Sequence, residues 1–176
     1  QNRSERDSFT SLYTDRLAAL DAVESRLVFG RTDTEDGSTW IGRIGLTTEA
    51  QQVLQIDWRA PAAAPFYQAT AARPLGVRRR RHITTEGRSV SALSDEVLDP
   101  ELATTEASDS SDSALLAALR AARTGRMGDI VATIQAEQDR IIRSSAKGAL
   151  VVQGGPGTGK TAVALHRAAY LLYTHR

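Results

Sequence analysis

The sequence predicts an α/β fold in two parts, and three observations predict it. An amphipathic helical stretch lies near the N-terminus, four short apolar runs follow over residues 40–93, and residues 149–173 read as a strand, a glycine-rich turn and a helix. The first helix and the apolar runs predict a helix with a small β-rich module. The last pattern predicts a second module with a parallel strand leading into a helix.

Composition limits the classes of function. The chain has 176 residues, 41% of them hydrophobic and 24% charged, which is typical of a globular protein. It has no cysteine and three scattered histidines, so disulfides and thiolate metal sites are excluded and a structural zinc site is not expected. The net charge of +1 gives no global reason for nucleic-acid binding.

No apolar run is long enough to span a bilayer, and the polar N-terminus is unlike a signal sequence. We therefore expect a cytoplasmic protein without membrane contact.

The N-terminal helix is predicted over residues 8–27. Its apolar side chains recur at three-, four- and seven-residue intervals and therefore share one side: Phe9, Tyr13, Leu17, Leu20 and Leu27. This apolar side of the helix either packs against the helix's own domain or forms a coil that binds a partner.

The β-rich module follows a polar turn at residues 32–38, which contains Asp36 and Gly37. Its strands are predicted at residues 40–46, 53–58, 76–83 and 89–93, in a mainly antiparallel sheet. Pro61 and Pro65 lie between the second and third strands and predict a loop, or a short helix that starts near Pro65.

The second module is predicted to begin near residue 114. Residues 99–113 are acidic and rich in serine and threonine, with little to bury, which predicts a linker between domains at 1–98 and 114–176. Residues 114–123 and 129–144 are predicted helices, and Asp129 is a candidate N-cap of the second.

A phosphate-binding motif follows these helices. The eight residues fit the pattern G-x-x-x-x-G-K-[ST] without a mismatch: Gly154, Gly155, Pro156, Gly157, Thr158, Gly159, Lys160 and Thr161. Residues 149–152 before it predict a buried parallel strand, and residues 162–173 after it predict a helix. A dinucleotide fingerprint fits less well, because its third glycine would fall on Lys160 or Ala162.

The chemistry of this motif predicts ATP and Mg²⁺ as ligands. Gly157 and Gly159 free the backbone for positive φ, so that amides at the start of a helix can surround a polyphosphate. Pro156 shapes the loop but has no amide proton to donate. Lys160 supplies a charge to the β- and γ-phosphates, and the Thr161 hydroxyl is placed to ligate Mg²⁺. We therefore expect the first strand and helix of a RecA-like P-loop ATPase domain.

Gln138 stands sixteen residues before Gly154. Its placement resembles the Q motif of UvrD-like superfamily 1 helicases, in which a glutamine contacts the polar edge of adenine. A side-chain amide both donates and accepts, which suits that edge. The other interpretation is an exposed helical glutamine, and the sequence leaves both open.

Several separated motifs resemble the HelD family. They comprise residues 56–61, 65–70, 78–81 and 95–99, together with residues 153–167, so the resemblance covers roughly residues 40–176. It implies an ATP-dependent motor, similar to UvrD-type helicases, that binds bacterial RNA polymerase and helps to release it from nucleic acid. Two alternatives remain: a DNA-unwinding repair helicase, and an isolated chain that acts only as a polymerase-binding module. DNA or RNA is a further expected partner.

The sequence also departs from this family. HelD proteins carry a long N-terminal antiparallel coiled coil, whereas the stretch before Trp40 has room for about one helix of twenty residues. No acidic pair for Mg²⁺ follows the motif, and Asp129 and Asp139 lie on predicted helices. We therefore expect a truncated ATPase domain and little or no ATP hydrolysis by this chain alone.

The other candidate sites have competing interpretations. Residues 78–81 are four consecutive arginines, which could contact phosphates, but pairing with Asp95, Glu96 or the acidic linker is the favoured interpretation. Residues 57–59 are interpreted as a buried tryptophan flanked by an ion pair rather than as an active-site trio. His166 and Arg167 are predicted packing and surface residues, and Tyr170 and Tyr173 are predicted core residues.

Overall fold

The computed structural model describes residues 2–99, 102 and 131–175. Helix α1 (Asn2–Val23) runs into a 3₁₀ turn (Glu24–Arg26). The strands are β1 (Val28–Thr34), β2 (Gly37–Gly42), β3 (Leu46–Thr47), β4 (Val53–Asp57), β5 (Arg79–Glu86) and β6 (Ser89–Val97). Between β4 and β5 lie a 3₁₀ turn (Pro61–Ala63) and α2 (Ala64–Gln68); the C-terminal helices are α3 (Ala136–Ile142) and α4 (Lys160–Thr174).

The strands form one sheet in the order β3-β4-β2-β1-β5-β6. Every neighbouring pair is antiparallel except β2 and β4, which run parallel, so the predicted mainly antiparallel sheet is confirmed. The β1–β2 hairpin turns at Glu35 and Asp36 and enters β2 at Gly37, whose φ of 136° lies in the region that favours glycine. The predicted turn is thus two residues long rather than seven.

One hydrophobic core joins the sheet to the C-terminal helices. Phe66 and Tyr67 of α2 pack edge to face, with ring centroids 5.0 Å apart. The buried residues of this core come from both ends of the chain: Phe29, Ile41, Trp58, Ala63, Phe66, Tyr67, Val131, Ile134, Ile142 and Val163. Gly30 has no room for a side chain, because a Cβ atom there would lie 2.4 Å from the Phe66 ring. The sheet and the C-terminal helices therefore share a single interior, and the predicted α/β class is confirmed.

The N-terminal region differs from the prediction in two ways. The helix ends at Val23, and residues 28–34 form the central strand β1, which the sequence had not predicted. Its polar residues resembled a turn, but they occupy a strand that is paired on both edges. The apolar side of α1 stays uncovered by the described part of the chain: Phe9, Leu12, Tyr13 and Leu17 are 60–65% exposed.

The C-terminal region also differs. The predicted strand at residues 149–152 is wrong, since these residues form no strand and Val151 is 81% exposed. A parallel strand requires hydrogen-bonded neighbours, and no strand of the described residues lies beside this segment. The helix predicted at 129–144 is shorter, running from Ala136 to Ile142 after a 3₁₀ turn at Val131–Thr133. Asp129, the helix predicted at 114–123 and nearly all of the predicted linker lie outside the described residues, and the domain boundaries stay predictions.

Candidate nucleotide-binding loop

Residues 154–161 turn sharply into the N-terminus of α4. Gly157 and Gly159 have φ angles of 77° and 85°, the positive values expected of them. The Gly159 carbonyl accepts the first backbone hydrogen bond of α4, from Val163 at 2.9 Å. In the described part of the chain, the amides of residues 159–162 donate to no carbonyl, as expected for the first turn of a helix. These donors remain available to an anion.

The loop is held in shape by its own small residues. The Thr158 hydroxyl donates to the Gly155 carbonyl at 2.9 Å. A Cβ atom at Gly154 would lie 2.6 Å from that hydroxyl oxygen, so a larger residue would displace Thr158. Glycine is therefore required at position 154, because the backbone there lies close to the Thr158 side chain of the same loop.

Lys160 extends its side chain back across the loop. Its ammonium donates to the carbonyls of Gly154 at 2.9 Å and Gly155 at 2.7 Å. A phosphate oxygen would be a stronger acceptor than these neutral carbonyls, because a charged acceptor strengthens the hydrogen bond. The exposed loop thus combines backbone donors, a helix N-terminus and one cation, and these residues fit a Mg²⁺-bound polyphosphate. Lys160 and the amides would bind the phosphates, and the Thr161 hydroxyl would be a Mg²⁺ ligand.

Gln138 lies against this loop. It is the third residue of α3, and its Oε1 accepts from the Gln135 amide at 3.1 Å in a capping box. Its Nε2 makes a long contact of 3.4 Å to the Thr158 carbonyl and lies 3.1 Å from where a Cβ of Gly159 would be. The structure therefore brings Gln138 and the phosphate-binding motif together; its contact with adenine stays a prediction.

A buried polar cluster beside Gln138 could not be predicted from the sequence. We call Gln68, Asp139 and Arg143 the Asp139 network. Asp139 is fully buried; it accepts from Gln68 Nε2 at 2.7 Å and from Arg143 Nε at 2.8 and 3.0 Å. Since these partners occupy its carboxylate, Asp139 is unsuited to holding Mg²⁺. No group of three metal-ligating side chains occurs within the residues that the structure describes.

Arg143 connects α3 to the end of β4. Its guanidinium donates to the carbonyls of Trp58 at 2.6 Å and of Arg59 and Ala60 at 3.1 Å each. It also lies over the ring of Tyr170, 5.4 Å from the centroid. One side chain thus joins α3, α4 and the segment after β4.

Helix α4 is held by further contacts. His166 packs edge to face on Trp58, with centroids 5.5 Å apart, as its predicted packing role requires. The prediction that Arg167 is a surface residue is wrong. Its guanidinium donates to four carbonyls at and just beyond the end of α3, those of Ile141, Ile142, Ser144 and Ser145. Such side-chain donors satisfy the carbonyls that the end of a helix leaves unpaired.

Residues 57–59 form a buried tryptophan flanked by an ion pair, as the favoured interpretation predicted. Asp57 accepts two hydrogen bonds from the Arg59 guanidinium, at 2.8 and 2.6 Å, and Trp58 is buried. Arg59 also lies over Tyr173, 4.7 Å from the ring centroid. Both tyrosines of α4 were predicted to be core residues. Tyr170 is partly buried and packs against the core, whereas Tyr173 is partly buried beneath Arg59 and does not belong to the core.

The arginine run at 78–81 is paired within the molecule. Arg80 binds Glu96, Arg81 binds Asp95 at 2.6 Å, Arg78 binds Asp99 at 2.7 Å and Arg79 binds Asp33 at 2.8 Å. The favoured interpretation is confirmed for Asp95 and Glu96, whereas Asp33 on β1 was not anticipated.

Asp33 is held in its charged form by these pairs. Burial raises its pKa, but hydrogen bonds from Arg31, Ser38 and Arg79 outweigh that effect and lower the pKa to about 2. The pKa of Asp95 is also lowered, chiefly by the hydrogen bond from Arg81. This face of the sheet therefore carries ion pairs that persist at neutral pH.

Two families match different parts of the chain. Residues 134–176, which contain the loop and α4, match the family described as the UvrD/REP helicase N-terminal domain. This match indicates a member of the UvrD-like helicase superfamily, a class that uses ATP. Residues 1–110 match the family described as DNA helicase IV HelD, N-terminal domain. The chain belongs to this HelD family.

A search of curated proteins gives no match. No helix among the described residues is long and apolar enough to cross a membrane.

Proposed function

We propose that the chain contributes the ATP–Mg²⁺ site of a UvrD-like motor, formed by residues 154–161 and Gln138. The observation that carries the proposal is the convergence of two positive-φ glycines, the N-terminus of α4 and the Lys160 ammonium on one exposed loop. Fixed amides and one mobile cation suit a triphosphate, whose charge is concentrated in a small volume. Gln138 is the residue we assign to the adenine.

The test is the substitution Lys160→Ala. It is expected to abolish ATP binding, measured by calorimetry with Mg²⁺–ATP, while the far-ultraviolet circular dichroism spectrum stays that of the parent. Lys147→Ala is the matched control, because Lys147 is the other lysine of the chain and is exposed outside the loop. ATP affinity equal in the two variants would remove Lys160 from its assigned role.

We further propose that the motor binds RNA polymerase and promotes its release from nucleic acid. The support is membership of the HelD family together with the paired arginine run, which leaves this part of the sheet poorly suited to binding nucleic-acid phosphates. The alternative is a DNA-unwinding helicase. Because this chain alone is expected to hydrolyse little or no ATP, both assays use the intact motor. Capture of core RNA polymerase without strand displacement on duplex DNA supports the first function, and strand displacement without capture supports the second.

A further inference from the structure

The sheet module and the nucleotide loop are joined through a short chain of polar contacts. It begins at Gln68, the last residue of α2, which lies 71 positions before Asp139 in the sequence. The Gln68 amide donates to Asp139 Oδ2 at 2.7 Å. Asp139 is fully buried and Gln68 is partly buried, so loss of the Gln68 amide would leave a buried carboxylate oxygen without this donor.

The second link fixes the orientation of α3. Asp139 binds Arg143, the residue that follows the last residue of α3, and Arg143 binds three carbonyls of residues 58–60. Helix α3 has seven residues and is too short to be stable without such support. Contacts with the sheet module therefore hold one side of α3, while Arg167 of α4 holds its C-terminal end.

The third link is Gln138, the neighbour of Asp139 on α3. Its amide lies at the loop, 3.4 Å from the Thr158 carbonyl and close to Gly159. Any rotation of α3 about its axis that follows the loss of the Gln68 contact would move Gln138 relative to these two residues. The function of a site depends strongly on the positions of its side chains, since a shift of about 1 Å can lower activity about a hundredfold.

We propose that Gln68 is a positioning residue for nucleotide binding, acting through Asp139 and α3 on the placement of Gln138. The sheet module thereby sets ATP affinity, although none of its residues lies in the loop. This inference rests on the proposed function of residues 154–161, and it assigns to the HelD-type part of the chain an effect on the UvrD-type part.

The first experiment replaces Gln68 by leucine, which is similar in volume but cannot donate to Asp139. The dissociation constant for Mg²⁺–ATP is expected to rise about fivefold, the lower range for coupled sites. Gln52→Leu is the matched control, because Gln52 is an exposed glutamine of the same module, and its dissociation constant should stay within about twofold of the parent. An unchanged constant in Gln68→Leu, with binding lost in Lys160→Ala, overturns the inference and leaves the proposed function standing.

The second experiment separates positioning from general damage. If Gln68 acts through Gln138, Gln68→Leu should cause no further rise in the dissociation constant when it is introduced into Gln138→Ala. An equal fold-change in both backgrounds overturns the inference, because independent sites add. Retained ATP binding in Lys160→Ala would overturn the proposed function and this inference with it.

Hydrogen exchange supplies a readout independent of nucleotide. Gln68→Leu should speed amide exchange in residues 136–142 and leave the β5–β6 hairpin unchanged. Should that variant fail to fold, Gln68→Asn, which keeps the amide on a shorter side chain, should show the same direction of change. Exchange that is unchanged in residues 136–142 contradicts the proposed route.

Discussion

Arg143 supports the packing of α3 and α4 on the sheet module, and its replacement by methionine tests that role. The substitution removes the only cation that the structure places on the buried Asp139 carboxylate among the described residues. It also removes the donor shared by the carbonyls of Trp58, Arg59 and Ala60. Methionine retains most of the apolar stem, so the effect reports on the guanidinium.

The expected cost follows from burial. Asp139 is 0% and Arg143 9% exposed at the side chain, so the pair lies in the interior. Removing one partner of a buried ion pair costs about 3–5 kcal/mol, because the remaining charge is left without compensation. For a chain of 176 residues this corresponds to a fall in the melting temperature of about 6–20 °C.

The assay is thermal unfolding followed by circular dichroism at pH 7. Arg88→Met is the control, since Arg88 is 85% exposed and its pair with Glu24 spans 3.4 Å. An exposed pair contributes less than about 1 kcal/mol, so this variant should melt within about 3 °C of the parent. If Arg143→Met melts within the same 3 °C, the assignment of α3 stability to the Asp139 network is wrong. Asp139→Leu with Arg143→Met should recover part of the loss, because neither charge then remains buried.

Two further predictions concern the sheet and the loop. The Asp33 pKa falls from 3.8 to about 2 on folding, so its stabilising contribution is complete above about pH 4 and is lost as the pH falls toward 2. Asp33→Asn should therefore cost about 1–2 kcal/mol at pH 7, less than the full pKa change would give because solvent screens this partly exposed group, and it should flatten the acid dependence of urea unfolding. Glu49→Gln, an exposed control, should do neither. Gly159→Ala should weaken Mg²⁺–ATP binding about tenfold, because φ is 85° and the new Cβ meets a side chain at 3.1 Å. Gly45→Ala is a control outside the loop, where an added Cβ would make only ordinary contacts, and it should stay within about twofold; equal effects would contradict the assigned loop geometry.

Features that depend only on residues close together in the chain could be predicted from the sequence. Helix α4 and the positive φ of Gly157 and Gly159 follow from local pattern, and the structure has both. The ion pair of Asp57 and Arg59 could also be predicted, since the partners are two residues apart.

Contacts between distant segments could not be predicted in the same way. Gln68 and Asp139 meet across 71 positions, and although Gln68 lies in the HelD-like segment 65–70, nothing in that segment indicates Asp139 as its partner. Strand β1 was missed because its polar residues from Thr32 onward fall in the segment predicted to be a turn at residues 32–38, and the pairing of Asp33 with Arg79 across the sheet cannot be known from the sequence. The strand predicted at residues 149–152 failed for the converse reason: its apolar pattern was correct for a strand, but strand formation depends on a neighbour.

The paired arginine run has a consequence for how any binding by this chain would respond to salt. A cation that displaces condensed counterions from nucleic acid makes the logarithm of affinity fall linearly with the logarithm of salt concentration. Arg80 and Arg81 are already neutralised by carboxylates on β6, so they have little charge left to exchange. Four consecutive cations in a sequence can thus leave the ionic-strength response of a protein almost untouched.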